Sequence, residues 1–306
     1  MLSDITGLHH VTALASGAQQ NNAFFTKTLG LRRVKKTVNF DAPDVYHLYY
    51  GDAAGTPGTV MTYFPFPHAR RGTPGTGEVS TTAFAVPKGS LPYWQERLAG
   101  HGAAAVEDRF GERLLRFEGP DGDGLALVET EDARAPWTGG EVPEDSALRG
   151  FHSVEMHLAD IGPTAELLRF MGYTEDDRAG DVTRYRHPAG NGADVVDLWQ
   201  SDAAPAKQSA GRVHHVAFAV PHRAAQARVQ EALTDAGFRV TPQIDRDYFW
   251  AIYFRSPGGV LFEVATNEPG FDRDEAPEHL GEVLMLPKQH AHLRDTLEAS
   301  LESITD

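Results

Sequence analysis

Ala83-Phe84-Ala85-Val86-Pro87 returns, residue for residue, as Ala217-Phe218-Ala219-Val220-Pro221, 134 positions further on. Each copy has the apolar, small-residue character of a buried strand that ends in a break. A helical pattern follows each one, Leu91 to Gly100 and Ala224 to Ala236, ending near a glycine as helices commonly do. Two strand-and-turn stretches come next, Arg109 to Gly122 and Arg246 to Gly259, which share an opening Arg and a Phe-x-x-Pro near the end. A fainter pair opens with Gly7-Leu8-His9-His10-Val11 and Gly150-Phe151-His152-Ser153-Val154, each leading to a helix-like segment that ends at Gly30 or Gly172. The unit is therefore strand, helix, then several strands, and four units begin near residues 7, 78, 150 and 212. Units this long and mixed predict an α+β fold of four βαβββ modules rather than a solenoid. The Pro-, Gly- and acid-containing stretch Glu131 to Ala147 reads as the linker between halves spanning 1–135 and 148–306, the second carrying a helix over Ala291 to Ile304.

The whole-chain composition narrows the chemistry. The 306 residues contain no cysteine, which excludes disulfides, thiolate nucleophiles and iron–sulfur clusters and leaves His, Asp and Glu as metal ligands. A formal charge of −15 opposes binding to nucleic acid, whose affinity depends on clustered Lys and Arg. The start Met1-Leu2-Ser3-Asp4 lacks the basic, apolar pattern of a signal peptide, and no stretch approaches a membrane span, so a cytoplasmic protein is expected.

His9-His10 and His214-His215 open the first strands of the first and last modules. Alternation puts Leu8, His10, Thr12 and Leu14 on one face of one strand, and Val213, His215, Ala217 and Ala219 on one face of the other. One imidazole from each can then point into a shared cup. The third candidate is Glu263, alone in the apolar run Val260-Leu261-Phe262-Glu263-Val264, where an ionised carboxylate needs an Arg or a cation as partner. At the repeat offsets Thr81 stands for His215, Ser153 for His10 and Ala126 for Glu263, so one complete two-His, one-carboxylate set remains. Such a set leaves adjacent coordination positions open, as non-haem Fe(II) oxygenases require, although zinc or Mn(II) suits the same ligands.

Several ordered segments carry a resemblance: Gly7-Leu8-His9-His10-Val11-Thr12, Lys36-Thr37-Val38-Asn39-Phe40-Asp41, Tyr46-His47-Leu48-Tyr49-Tyr50-Gly51-Asp52, Gly55-Thr56-Pro57-Gly58-Thr59-Val60, Arg149-Gly150-Phe151-His152-Ser153, Val213 to Pro221, and Asp245 through Glu263. With these the chain resembles the hydroquinone-cleaving ring dioxygenases of the vicinal-oxygen-chelate (glyoxalase/bleomycin-resistance) superfamily. The resemblance implies two domains of paired βαβββ modules, with Fe(II), or alternatively Mn(II), on His10, His215 and Glu263. It places His9, Thr12, Arg246 and Tyr253 against the substrate, with Tyr253 beside the metal and Arg246 stabilising phenolate charge. Strict alternation turns His9 away from the face of His10, so its role requires a twist or bulge. The implied partners are a small aromatic substrate and O2, with self-association open.

Two other readings share the fold: a catechol extradiol dioxygenase or glyoxalase-like metalloenzyme, and a non-catalytic drug-sequestering protein of the bleomycin-resistance kind. A glyoxalase draws carboxylates from two modules, whereas here Glu263 alone is well placed, and sequestration needs no metal set. Further expectations concern the surroundings. His47 lies in an aromatic strand that reads mainly as packing, and Tyr63, by the Pro-Gly offset, takes the place that Glu263 holds in the last module. Gly55 to Thr59 reads as a hairpin turn, His68, Arg70 and Arg71 as solvated loop residues, and Glu268 to Glu282 as a solvated acidic connection.

Overall fold

The structure, a computed structural model, describes residues 2–305; Met1 and Asp306, the outer ends of the two expected halves, lie outside the described residues. The four expected units are present. The first holds β1 (Leu8–Ala15), α1 (Ala18–Ala23, extended by a π-turn over Phe24–Thr28), β2 (Arg32–Val38), β3 (Tyr46–Gly51) and β4 (Val60–Pro65). The second holds β5 (Glu78–Pro87), α2 (Leu91–Arg97), β6 (Glu107–Arg109), β7 (Glu112–Glu118) and β8 (Gly124–Thr130). The third holds β9 (Phe151–Leu158), α3 (Gly162–Phe170), β10 (Thr174–Ala179), β11 (Val182–Arg186) and β12 (Val195–Gln200). The fourth holds β13 (Val213–Val220), α4 (Arg223–Asp235), β14 (Ile244–Asp245), β15 (Phe249–Arg255) and β16 (Leu261–Pro269). The C-terminal helix α5 covers Arg294–Ser300, shorter than expected because a 3-10 stretch occupies Lys288–Leu293.

The units combine across the chain rather than along it. One eight-stranded sheet runs β14-β15-β16-β13-β1-β4-β3-β2, joining the first unit to the fourth. The other runs β10-β11-β12-β9-β5-β8-β7-β6, joining the second to the third. Both joins are antiparallel pairs of first strands, β1 with β13 and β5 with β9. The linker between the sequence halves therefore does not separate the sheets. A single apolar cluster draws on all four units, including Phe25, Trp94, Phe151 and Phe218. A smaller cluster with Val34, Tyr49, Ala217, Phe249 and Phe271 fills one end of the first sheet's cup. No described helix is long and apolar enough to cross a membrane.

The acidic connection after β16 differs from the expected solvated segment. It crosses back over β2, where Asp274 and Glu275 both pair with Lys35, whose side chain is wholly buried. The Lys35 ammonium also sits 4.6 Å over the Tyr248 ring, and Phe271 and Leu280 are buried beneath the strap. Acidic residues mark solvation in general, but here two of them compensate a buried cation. The Gly55 turn is the expected β3–β4 hairpin, and its positive φ of 72° suits glycine; a Cβ there would come within 2.5 Å of Phe271. His68, Arg70 and Arg71 are exposed as expected, while their loop's backbone pairs with the 205–210 segment through bridges at Arg71–Ala210, Thr73–Lys207 and Thr76–Pro205.

Candidate metal centre

β1 and β13 each carry a β-bulge at the first histidine of their pair. Leu8 lies opposite Phe218 and His10 opposite Ala217, so His9 is the extra residue; Thr12 lies opposite His215 and Ala13 opposite Val213, which makes His214 the extra residue of β13. A bulge reverses the facing of everything before it. Leu8 consequently joins Val11 and Ala13 in the main core, rather than sharing the cup face with His10 as simple alternation predicts. The same break sends Val213 to the core side, with Val216 and Phe218.

The bulges explain why histidines come in pairs. His9 Nε2 lies 3.1 Å from the Thr266 carbonyl, which can only accept, so that nitrogen carries the proton. Burial, then repulsion from His10, lowers the His9 pKa to about 3, keeping the ring neutral with Nδ1 as an acceptor. His10 Nδ1, 2.9 Å away, then donates to it. That tautomer leaves a lone pair on His10 Nε2, pointing into the cup. His214 Nδ1 lies 2.8 Å from His215 Nδ1 in the matching place, but its ring is exposed, with no carbonyl among the described residues set on its outer nitrogen; desolvation lowers both imidazole pKa values. An outer histidine that fixes the tautomer of an inner one is the arrangement used to aim metal-ligating imidazoles.

The two inner nitrogens meet Glu263. His10 Nε2 and His215 Nε2 lie 3.2 Å apart, and Glu263 Oε2 lies 2.9 Å from His215 Nε2 and 3.4 Å from His10 Nε2. Glu263 has no solvent exposure, and neither of its oxygens accepts a well-formed hydrogen bond. Burial opposes its ionisation, but the flanking His10 and His215 hold it well below the usual carboxylate range. Two imidazole nitrogens and a buried carboxylate thus converge, and the carboxylate stays ionised there only with positive charge beside it, either protons on the imidazoles or a metal ion in their place. These three residues form a group able to hold a metal ion. The donor set, two nitrogens and one oxygen, fits Fe(II), Mn(II) or zinc.

The other expected residues divide into those at the cavity and those behind it. A cavity of about 540 Å³ opens from the three candidate ligands and is lined by Arg246, Tyr253, His47 and His214, among others. Tyr253 lies directly opposite Glu263 in the β15–β16 ladder. Arg246 Nε donates to the Tyr253 phenol oxygen at 3.3 Å, which leaves the phenol proton free for another acceptor. Burial, reinforced by the Glu263 charge, raises the Tyr253 pKa, so the phenol stays protonated. His9 does not line this cavity but a separate one of about 350 Å³ behind it, next to Tyr248 and Phe271.

Thr12 is fully buried and is not part of the cavity wall; its hydroxyl bonds Thr62 Oγ1 at 2.8 Å. Thr62 in turn meets His47 Nε2 at 2.8 Å, and His47 Nδ1 meets the Tyr49 hydroxyl at 2.8 Å. This chain supports a cavity-facing His47 and was hidden in the sequence by the aromatic strand around it. Tyr63 faces the opposite way, into the main core, where its hydroxyl donates to Asp123 Oδ1 at 2.9 Å. Strand pairing puts Thr62 opposite Thr12 and Glu263 opposite Ala217, so the counterpart of Glu263 in the first unit is Thr62, one residue from the expected Tyr63.

The second sheet offers a control. Thr81, Ser153 and Ala126 do stand in its cup, beside Arg109 and Arg116 where the first cup has Arg246 and Tyr253. Its interior space is only about 10 Å³, because Glu155 pairs with Arg109 and Arg116, and Arg184 with Asp197 and Glu112. Charges that compensate each other occupy the place of a ligand set.

Curled sheets of paired βαβββ units, one cup holding two histidines and a carboxylate, define the vicinal-oxygen-chelate class. The chain belongs to the Glyoxalase/Bleomycin resistance protein/Dioxygenase superfamily, whose family model matches residues 7–264. Among curated relatives, a candidate ring-cleaving dioxygenase of Bacillus subtilis, MhqO, is 42% identical over 98% of this chain and 97% of that protein. The chlorohydroquinone/hydroquinone 1,2-dioxygenase of Sphingobium indicum is 37% identical over 96% of this chain and 95% of its own length. A crystal structure of a candidate dioxygenase from Bacillus subtilis superposes with a TM-score of 0.95 at 41% identity, covering 99% of this chain and 98% of that one. Maize glyoxalase I shares the fold, with a TM-score of 0.63 at 13% identity over 86% of this chain and 92% of that one.

Proposed function

We propose that the protein is a ring-cleaving dioxygenase acting on hydroquinone-type substrates, with His10, His215 and Glu263 as metal ligands and Fe(II) as the metal. The observation that carries this reading is the convergence of the three donor atoms at the floor of a cavity large enough for an aromatic ring. It is supported by the match over nearly the full chain to a hydroquinone 1,2-dioxygenase. Bound there, Fe(II) supplies Lewis acidity toward a phenolate oxygen and redox access to O2.

The protein's own groups supply placement and protons. Arg246, half-buried at the cavity wall, offsets negative charge on the substrate oxygen, and its bond to Tyr253 fixes the direction of the phenol. Tyr253 presents a protonated hydroxyl beside Glu263 that donates to an oxygen of the substrate or of the product as it forms. His47, held by Tyr49 and Thr62, lines the same cavity, and Thr12 acts through that chain rather than by touching substrate. The net change opens the ring between a hydroxylated carbon and its neighbour. Both atoms of O2 enter the product, leaving one carbon as a carboxylic acid and the other as a carbonyl. We read this as a cytoplasmic reaction with a small aromatic and O2 as its partners.

The test is anaerobic loading with Fe(II) or Mn(II), followed by oxygen uptake with hydroquinone, catechol and a methylglyoxal–thiol adduct. The reading expects uptake to be fastest with hydroquinone and greater with iron. Preferential isomerisation of the thiol adduct, or turnover of catechol alone, would replace it with one of the other metalloenzymes on this fold.

A further inference from the structure

A hydroquinone fills only part of the cavity. At about 540 Å³ the space is in the range that takes ligands several times larger than a ring with two hydroxyls. The extra room has a definite direction and character. Along β1, Leu14 lies four residues beyond His10 on the same side, and it pairs with Phe64 of the neighbouring β4. At roughly 3.3 Å per residue those four steps span about 13 Å, about twice the oxygen-to-oxygen length of a hydroquinone, roughly 6 Å. The candidate ligands and Tyr253 mark the His10 end of the cavity, whereas the His47 ring packs against Phe64, 4.2 Å between centroids. Further along the strands from His10 the wall is mainly apolar, with Leu14, Phe64 and Phe66.

Phe66 gives an independent indication. It is one of two large apolar side chains exposed among the described residues, 36% accessible, and it stands at this cavity rather than scattered on the surface. An exposed aromatic ring at the rim of a pocket marks a place where apolar ligand surface is covered.

Resting on the ring-cleavage reading, we infer that the favoured substrate is a hydroquinone bearing a bulky apolar ring substituent, an alkyl or aryl group of about four to six carbons, which lies along Leu14, Phe64 and Phe66. The dihydroxy ring occupies the polar end and the substituent points to the mouth. An unsubstituted or methyl-substituted ring leaves the apolar end filled with water and forgoes that contact. Each methylene buried there raises affinity by about threefold to fourfold.

The experiment uses the Fe(II)-loaded full-length protein with hydroquinone and its methyl, butyl and hexyl derivatives, reading kcat/KM by oxygen uptake and, without oxygen, Kd by calorimetry. The expected result is a rise through the butyl compound of at least tenfold in both quantities over hydroquinone, with a more negative heat-capacity change on binding. In Leu14→Trp and Phe66→Ala the butyl-to-hydroquinone ratio should fall by at least tenfold and about threefold, respectively. A flat or falling series with hydroquinone still turned over overturns this inference and leaves ring cleavage standing. If no hydroquinone is turned over, ring cleavage fails, and the anaerobic Kd series still decides the apolar subsite: equal affinities across the series overturn it.

Discussion

Glu263 is legible in the sequence because a carboxylate in an otherwise apolar strand is a physical anomaly, and His10 and His215 because the repeat puts them at matching places. Less legible is the division of labour within each His-His pair. Nothing in the residue types shows that the first histidine is an outer partner, since that depends on a bulge which alternation cannot anticipate. The Thr266 carbonyl, 257 residues from His9, completes that chain. His9→Gln should therefore weaken metal binding by about 10- to 100-fold while leaving the cavity intact, as measured by anaerobic metal titration. An unchanged affinity would remove His9 from the support of His10. Tyr253 has the opposite signature, because it touches the cavity but is not among the candidate ligands. Tyr253→Phe should keep full metal content and lower hydroquinone turnover by about 100-fold, whereas Glu263→Ala should lose the metal. Metal analysis alongside oxygen uptake separates these outcomes, and full turnover in Tyr253→Phe would reduce that ring to packing.

At the level of elements, the hairpin that sets Tyr253 against Glu263 follows from the Pro257-Gly258 turn and the apolar runs on either side of it. Tyr63 shows where offset reasoning slips: one residue of register exchanges cup for core. Its actual partner, Asp123, sits in the turn before β8 and ties the two sheets together through a buried phenol–carboxylate bond. Burial, with Asp121 adding to it, raises the Asp123 pKa to about 6 against the Tyr63 hydrogen bond. The folded state therefore binds this proton more tightly than the unfolded chain, whose carboxyl titrates near 3.9. The penalty is absent below about pH 4, grows as pH rises toward 6, and is complete above, with an upper size of roughly 3 kcal/mol. Relative to Asp123→Asn, the natural protein should lose stability between pH 4 and 6 in urea unfolding, and change little above. A relative gain over that interval would contradict the placement of this carboxyl.

For the whole molecule, the four units and their boundaries could be read from the repeat, since Ala-Phe-Ala-Val-Pro and the paired glycines recur in register. Their pairing could not, because a repeat shows likeness between units and not which ones share a sheet. The long-range β1–β13 and β5–β9 ladders put the candidate ligands of one centre at opposite ends of the chain. Residues 1–135 and 148–306 expressed separately should each fail to give a cooperative unfolding transition, because each would expose the edge strands that the other half covers. Co-expression should restore both folding and metal binding. Two independently stable halves would contradict this account of the sheets.

The reaction proposed for this cup inserts dioxygen into an aromatic ring. The most direct measurement supplies isotopically labelled O2 to the Fe(II)-loaded protein with hydroquinone and follows the label by mass spectrometry. The expected product is a ring-opened acid that carries oxygen from O2, with one O2 consumed per ring and both labelled atoms present before the carbonyl exchanges with water. A quinone without label, formed as O2 is reduced, would contradict it.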